Sequence, residues 1–338
     1  MTGSPSPGAP GTPGTPGPDG AGLAVRTVLG DVPPGQLGVC DAHDHLFFAS
    51  AQLPGQELDN VEAAAAELTA FRELGGHAVV QWTPYGLGRR ADLLGVAAQL
   101  SGVTVVAATG LHQLAHYRDP AVPEAVLQRL GALFVEELTR GMRPDPGTEG
   151  EVNPAGLLPR AGLIKVAGAF HHLDRHARHT LYAAADAHLA TGAPIGVHHE
   201  LGTATLDVAG LLCGTLKVPP DKVILGHLNR LPDLSLQRQT AETGAFLAFD
   251  GPSRANHATD WRLYESLAEL VRYGHEDQIL LGGDTTTASA RAATGGGPGL
   301  PYLLRVLRPR LEAELGHEVT DKFFVTNPAR ALAACWRR

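Results

Sequence analysis

The sequence predicts a closed (β/α)8 TIM barrel, and three observations predict it. Eight short apolar runs alternate with amphipathic stretches along most of the chain. No hairpin pattern returns between them, so the strands should run parallel with helices outside. Open doubly wound sheets use about five or six strands, and eight favours closure. A G-x-G-x-x-G phosphate loop does not follow the first run.

Taken in order, residues 1–22 are Pro, Gly, Ser and Thr almost throughout and read as a disordered tail. The tail has neither a basic start nor an apolar core, so it is not read as a secretory signal. Residues 23–338 carry the barrel. Its strands are predicted at 38–41, 78–81, 104–108, 163–166, 195–197, 223–225, 245–249 and 279–281. Helical periodicity occupies 60–74, 91–100, 124–140, 180–191, 206–216, 234–243 and 260–273. Residues 142–161 are Pro/Gly-rich and form a connection. Residues 285–300, after the last strand, are flexible by composition and are expected to be a lid or a substrate wall.

An apolar fraction of 43% suits a large core, and a formal charge of −8 argues against nucleic acid or an anionic membrane as partner. No apolar run approaches the roughly 20 residues that span a bilayer. Three scattered cysteines, Cys40, Cys213 and Cys335, fit a reducing cytoplasm and supply no thiolate metal site.

Sixteen histidines are many for this length, and several end strands. The first strand ends in His43-x-His45, whose alternate positions share a face in extended chain. The fourth carries Lys165 inside an apolar run. The fifth runs into His198-His199, of which His198 is the favoured ligand and His199 a packed neighbour. The sixth ends in His227 and the eighth in Asp284. All lie on the rim where barrel enzymes keep their chemistry. Imidazole and carboxylate ligands suit zinc first, with manganese, cobalt or iron as alternatives. The ligands exceed one tetrahedral ion's need and point to two divalent ions about 4 Å apart. A buried lysine ammonium cannot bind a cation, but a lowered pKa frees the amine to add carbon dioxide. The resulting carbamate on Lys165 is an anion able to bridge both ions.

On these residues the chain resembles the phosphotriesterase-like family of the amidohydrolase superfamily. The resemblance runs from Arg26-Thr27-Val28-Leu29-Gly30 through His43-x-His45, Gly86-Leu87-Gly88-Arg89-Arg90 and Ala107-Ala108-Thr109-Gly110. It continues through Leu163-Ile164-Lys165-Val166-Ala167, Ile224-Leu225-Gly226-His227 and Gly283-Asp284 to Val325-Thr326-Asn327-Pro328-Ala329-Arg330. It implies that His43, His45 and Asp284 hold the more buried metal and His198 and His227 the more exposed one, with Lys165 bridging. A bridging hydroxide would attack a lactone or ester carbonyl, or a phosphotriester. Asp284 would accept the proton, with His227 and Asp250 relaying it outward. A homodimer acting on a small-molecule ester, lactone or organophosphate is also implied.

Lactone-hydrolysing members of the family carry a tyrosine after the third strand and an arginine directly after the seventh strand's aspartate. Here those places show Gly110-Leu111-His112-Gln113 and Asp250-Gly251-Pro252-Ser253-Arg254. Tyr117 and Arg254 are the expected substitutes. Phe47, Trp82, Tyr85, Phe170 and Trp261 are candidate apolar walls, the counter-reading being core or surface aromatics. Arg230 and Arg254 are candidates to hold an anionic group. His171, His172, His176 and His179 form either a second metal patch or an outer pocket and solvent-facing surface. The alternative function is a barrel that binds metal in a non-catalytic, regulatory role.

Overall fold

The computed structural model describes residues 22–146, 159–252 and 257–337. The expected tail, apart from Gly22, and most of the 142–161 connection lie outside the described residues. A short antiparallel hairpin, Val25–Thr27 with Gly30–Val32, precedes the barrel. Eight parallel strands follow: β1 (Cys40–Asp44), β2 (Ala78–Gln81), β3 (Thr104–Gly110), β4 (Leu163–Ala167), β5 (Ile195–His198), β6 (Val223–Leu225), β7 (Phe246–Asp250) and β8 (Ile279–Gly282). Each strand pairs with the next in chain order.

Period-two alternation assigns the two faces of this sheet. Ala78 and Val80, Val106 and Ala108, and Leu163 fill the barrel, while Val79, Val105, Ile164 and Val166 pack outward on the helices. Lys165 therefore falls on the inward series between Ile164 and Val166. Trp82 continues the inward series of β2 and is fully buried. Its Nε1 donates to Ala42 O at 2.8 Å. The ring occupies the space that glycine leaves at Gly196, where a Cβ would come within 2.9 Å of it.

Between β8 and β1 side chains do much of the closing. Asp41 Oδ1 accepts from His43 N and Gly283 N, at 3.1 and 3.2 Å. Asp44 Oδ1 accepts from His45 N and Thr285 N, at 2.6 and 3.0 Å. Asp284 N donates to His43 O at 2.9 Å. Gly283 is required here, because a Cβ would sit 2.2 Å from Asp44 Oδ2.

The helices differ from expectation mainly at their ends. The 124–140 stretch divides into Ala121–Leu127 and Leu130–Thr139. The 180–191 helix begins earlier, at Arg175, because the Asp174 side chain caps Ala177 N. After the barrel, helical segments from Leu303 to Leu332, absent from the predicted stretches, pack under β8 through Phe323 and Phe324. Among the described residues no helix is long and apolar enough to cross a membrane.

Candidate metal centre

The strand ends converge on a cavity of about 960 Å³ whose lining includes His43, His45, Lys165, His198, His227 and Asp284. His43 does not reach it by simple alternation. Cys40 and Ala42 face inward, so a regular β1 would turn His43 out. The pairing register shifts between Asp41 and Asp44, and this irregularity re-aims the imidazole over Trp82, 4.0 Å between ring centres. His227 and Asp284 adopt left-handed backbone, φ 66° and 51°. Such strain in non-glycine residues concentrates at functional sites.

The hydrogen bonds fix which nitrogen of each ring carries its proton. His43 Nδ1 lies 2.9 Å from Asp250 Oδ1, and His227 Nδ1 lies 2.5 Å from Asp250 Oδ2. A carboxylate only accepts, so both rings donate through Nδ1 and keep a lone pair on Nε2. Thr83 Oγ1 gives its proton to Phe47 O, so it accepts from His45 Nδ1 at 2.7 Å, again freeing Nε2. His198 is reversed: its Nε2 meets Glu200 Oε2 at 3.2 Å, leaving the lone pair on Nδ1.

These lone pairs point at one another with no proton between them. His43 Nε2 and His45 Nε2 approach Asp284 Oδ1 at 3.6 and 3.4 Å. His198 Nδ1 and His227 Nε2 face each other at 2.7 Å. Ligand atoms of His43, His227 and Asp284 all lie within 4.8 Å of one another. Electron-rich atoms gathered this way fit divalent cations, and each ring's far nitrogen is held as ligating histidines require.

Burial keeps the rings neutral: it lowers His45 to about 4 and takes His198 and His227 well below the ordinary value. Burial also lowers Lys165 to about 7, with Arg230 adding to the effect and Asp284 opposing it. Burial alone would raise Asp284, but the Arg230 guanidinium and His45 hold it below the usual carboxylate range. Arg230 Nη2 bonds Asp284 Oδ2, and its Nε, 3.9 Å from Asp250 Oδ2, has no hydrogen-bond partner among the described residues.

Other expected residues fall elsewhere. Asp250 is fully buried with one oxygen on His43 and the other on His227, a place from which it can orient two candidate ligands. Trp82 is barrel core, and it forms no cavity wall. Tyr117 is buried; its Oη donates to Tyr85 O at 3.1 Å and accepts from His112 N at 3.0 Å, which makes it a loop brace. Phe170 is half exposed and packs on His171, outside the cavity lining. Phe47 and Tyr85 are buried, Trp261 is exposed, and none of the three lines the cavity. Arg254 lies outside the described residues. His199 is buried with Nδ1 on Thr203 O, consistent with a packed neighbour.

Of the later histidines, His171, His172 and His179 are exposed, as the solvent-facing reading expects, and none of the four lines the cavity or joins a metal-ligand group among the described residues. His172, His176 and His179 each bond a backbone carbonyl, of Phe170, His112 and Leu127. The sequence reading passed over Thr83, Glu200 and the cavity-lining pair His112 and His116. It also chose Phe47, where its neighbour Phe48 lines the cavity.

A family model described as the phosphotriesterase family matches residues 23–332. The chain belongs to that family. A phospho-furanose lactonase of Mycoplasmopsis synoviae (strain 53) is 32% identical over 325 residues, covering 91% of this chain and 91% of that protein. Among solved structures, the chain superposes on a Listeria monocytogenes lactonase with TM-score 0.81 and 28% identity, covering 91% of this chain and 98% of the other. A Mycoplasma synoviae amidohydrolase superposes with TM-score 0.80 and 32% identity, covering 92% of each. As a member of the phosphotriesterase family, the chain is a metal-dependent hydrolase acting on ester bonds, and its barrel carries a buried His/Asp group suited to the metal.

Proposed function

We propose that the chain hydrolyses a lactone bearing an anionic group, a phosphorylated furanose lactone being the first choice, at a two-metal centre. His43, His45 and Asp284 would hold one ion, His198 and His227 the other, and Lys165 as a carbamate would join them. One observation carries the reading: four imidazole lone pairs and a carboxylate converge with every tautomer already fixed. Two bound cations, zinc by preference, would polarise the attacked carbonyl and lower the pKa of the attacking water.

The protein's own groups supply the rest. Asp284 Oδ2 takes the proton released on attack, and Asp250 keeps His43 and His227 aimed. Arg230, nine-tenths buried and lining the cavity, holds the substrate's anion. Moving from Asp284 to that anion, it leaves a more basic carboxylate behind. The relative named a phospho-furanose lactonase supports a phosphorylated substrate. Three free cysteines support a cytoplasmic setting, residues 23–338 are read as one catalytic barrel, and the family resemblance supports a homodimer.

The test is a screen of pentono-1,4-lactone 5-phosphates, unphosphorylated γ- and δ-lactones, an aryl ester and a phosphotriester on zinc-loaded protein. The phosphorylated lactones should lead. A zinc-loaded protein that turns over none of them would favour the non-catalytic barrel.

A further inference from the structure

The loop after β3 brings into the cavity a histidine that the metal site does not use. His112 is buried at 4% exposure, lines the cavity, and stacks on His116 with ring centres 4.1 Å apart. Its ring also packs against His198, at 4.6 Å. Its backbone is gripped on both sides: His112 N donates to Tyr117 Oη at 3.0 Å, and His176 Nε2 donates to His112 O at 2.8 Å.

The ring itself is set by one further bond. Gln113 N donates to His112 Nδ1 at 2.6 Å. A backbone N–H has no other role, so Nδ1 must be the unprotonated nitrogen. The ring is then neutral, and its one proton sits on Nε2. Ligation through Nε2 would require that proton on Nδ1, against the Gln113 N–H. His112 is therefore excluded from the metal set, although it stands beside His198. It presents a donor to the cavity, and Nε2 has no hydrogen-bond partner among the described residues.

We propose that His112 is a specificity-determining residue, a fixed neutral N–H donor that binds an acceptor oxygen of the substrate next to the His198–His227 half of the centre. A donor held by three hydrogen bonds and two ring contacts need not reorganise when the oxygen arrives. This arrangement favours substrates that place a carbonyl, ring or phosphoryl oxygen there, over those that place an apolar group. The proposal rests on the hydrolase reading only for the nature of what enters the cavity.

The experiment uses zinc-loaded wild type, H112F and H112Q. Calorimetric titration measures affinity for a pentonic acid 5-phosphate, and kinetics follow the parent lactone. The phenylalanine keeps the stack and removes the donor; the glutamine restores an N–H. In H112F, product affinity and kcat/KM should each fall about tenfold or more, with zinc per chain and melting temperature unchanged. H112Q should regain part of both, and it decides the matter if H112F fails to fold. Values for H112F within twofold of wild type overturn the proposal, as does loss of zinc from H112F, which would make His112 a prop for His198. A wild type that binds the product without turning over the lactone, and loses that binding in H112F, refutes the hydrolase reading and upholds His112. A wild type that does neither refutes both.

Discussion

His43 and His227 share one carboxylate. The two rings come from β1 and the end of β6, on either side of β7, and the two oxygens of Asp250 take one Nδ1 each, at 2.9 and 2.5 Å. The two candidate metal half-sites are thereby set by a single buried side chain on β7.

Asp250→Asn should test this coupling. An amide can accept from only one imidazole and presents N–H to the other, so one ring must turn. Metal affinity should fall about 10–100-fold, with zinc lost from both half-sites when titrated against a chelator. Loss confined to one half-site would mean that the rings are set independently.

Arg230→Met should separate charge recognition from turnover. Removing a charged hydrogen bond costs about 1.5–3 kcal/mol, so KM for a phosphorylated lactone should rise about tenfold or more. The unphosphorylated lactone should be nearly unaffected. Equal losses on both substrates, measured side by side, would leave Arg230 as a partner of Asp284 alone.

The 285–300 segment walls the cavity, as expected, but it is pinned where its composition predicts flexibility. Buried Glu67, on the helix Val61–Glu73, accepts from Ala292 N, Ala293 N and Leu300 N at 2.8–3.1 Å. Arg291 bonds Leu46 O, next to His45. Thr286, Thr287 and Pro298 of this segment line the cavity. Glu67→Ala should raise KM about three- to tenfold, cost about 1–3 kcal/mol of stability and speed amide exchange at 292–300. Zinc content should not change.

Lys165 gives a pH dependence with a defined sign. Burial places its amine at about 7 in the folded chain, against about 10.4 in the unfolded chain. Between those values the unfolded state holds the extra proton, so this residue's contribution to stability improves as pH rises and its cost is complete below about 7. In metal-free protein, the stability advantage of Lys165→Met over wild type should therefore shrink from pH 7 to 10. Activation by bicarbonate and zinc should rise with pH through about 7, as the amine loses its proton. An advantage that does not change with pH would mean that Lys165 is charged in the folded state.

The eight strands were legible in the sequence to within a few residues because a barrel strand, buried on both faces, writes itself as an unbroken apolar run. His43, His45, Lys165, His198, His227 and Asp284 could be found for the same reason: each interrupts or ends such a run. Trp82 was expected as a cavity wall, although Ala78, Val80 and Trp82 share the inward face and mark it as core. What stayed hidden depends on tertiary neighbours. Asp250 orients two rings because closure of the barrel brings β1, with His43, round to β7, a relation no local spacing carries. Thr83 and Glu200 are common residue types whose role arises only from which nitrogen they meet. The β1 irregularity leaves no mark in the Cys40–Asp44 sequence, and the break near Gln128 has none that we can identify.

The number of zinc ions bound per chain decides between a centre for two cations and a single site. After reconstitution with zinc in bicarbonate and removal of loosely held metal, elemental analysis should find about two per chain. It should find fewer in Lys165→Ala. One ion or none in the wild type would contradict the two-metal centre.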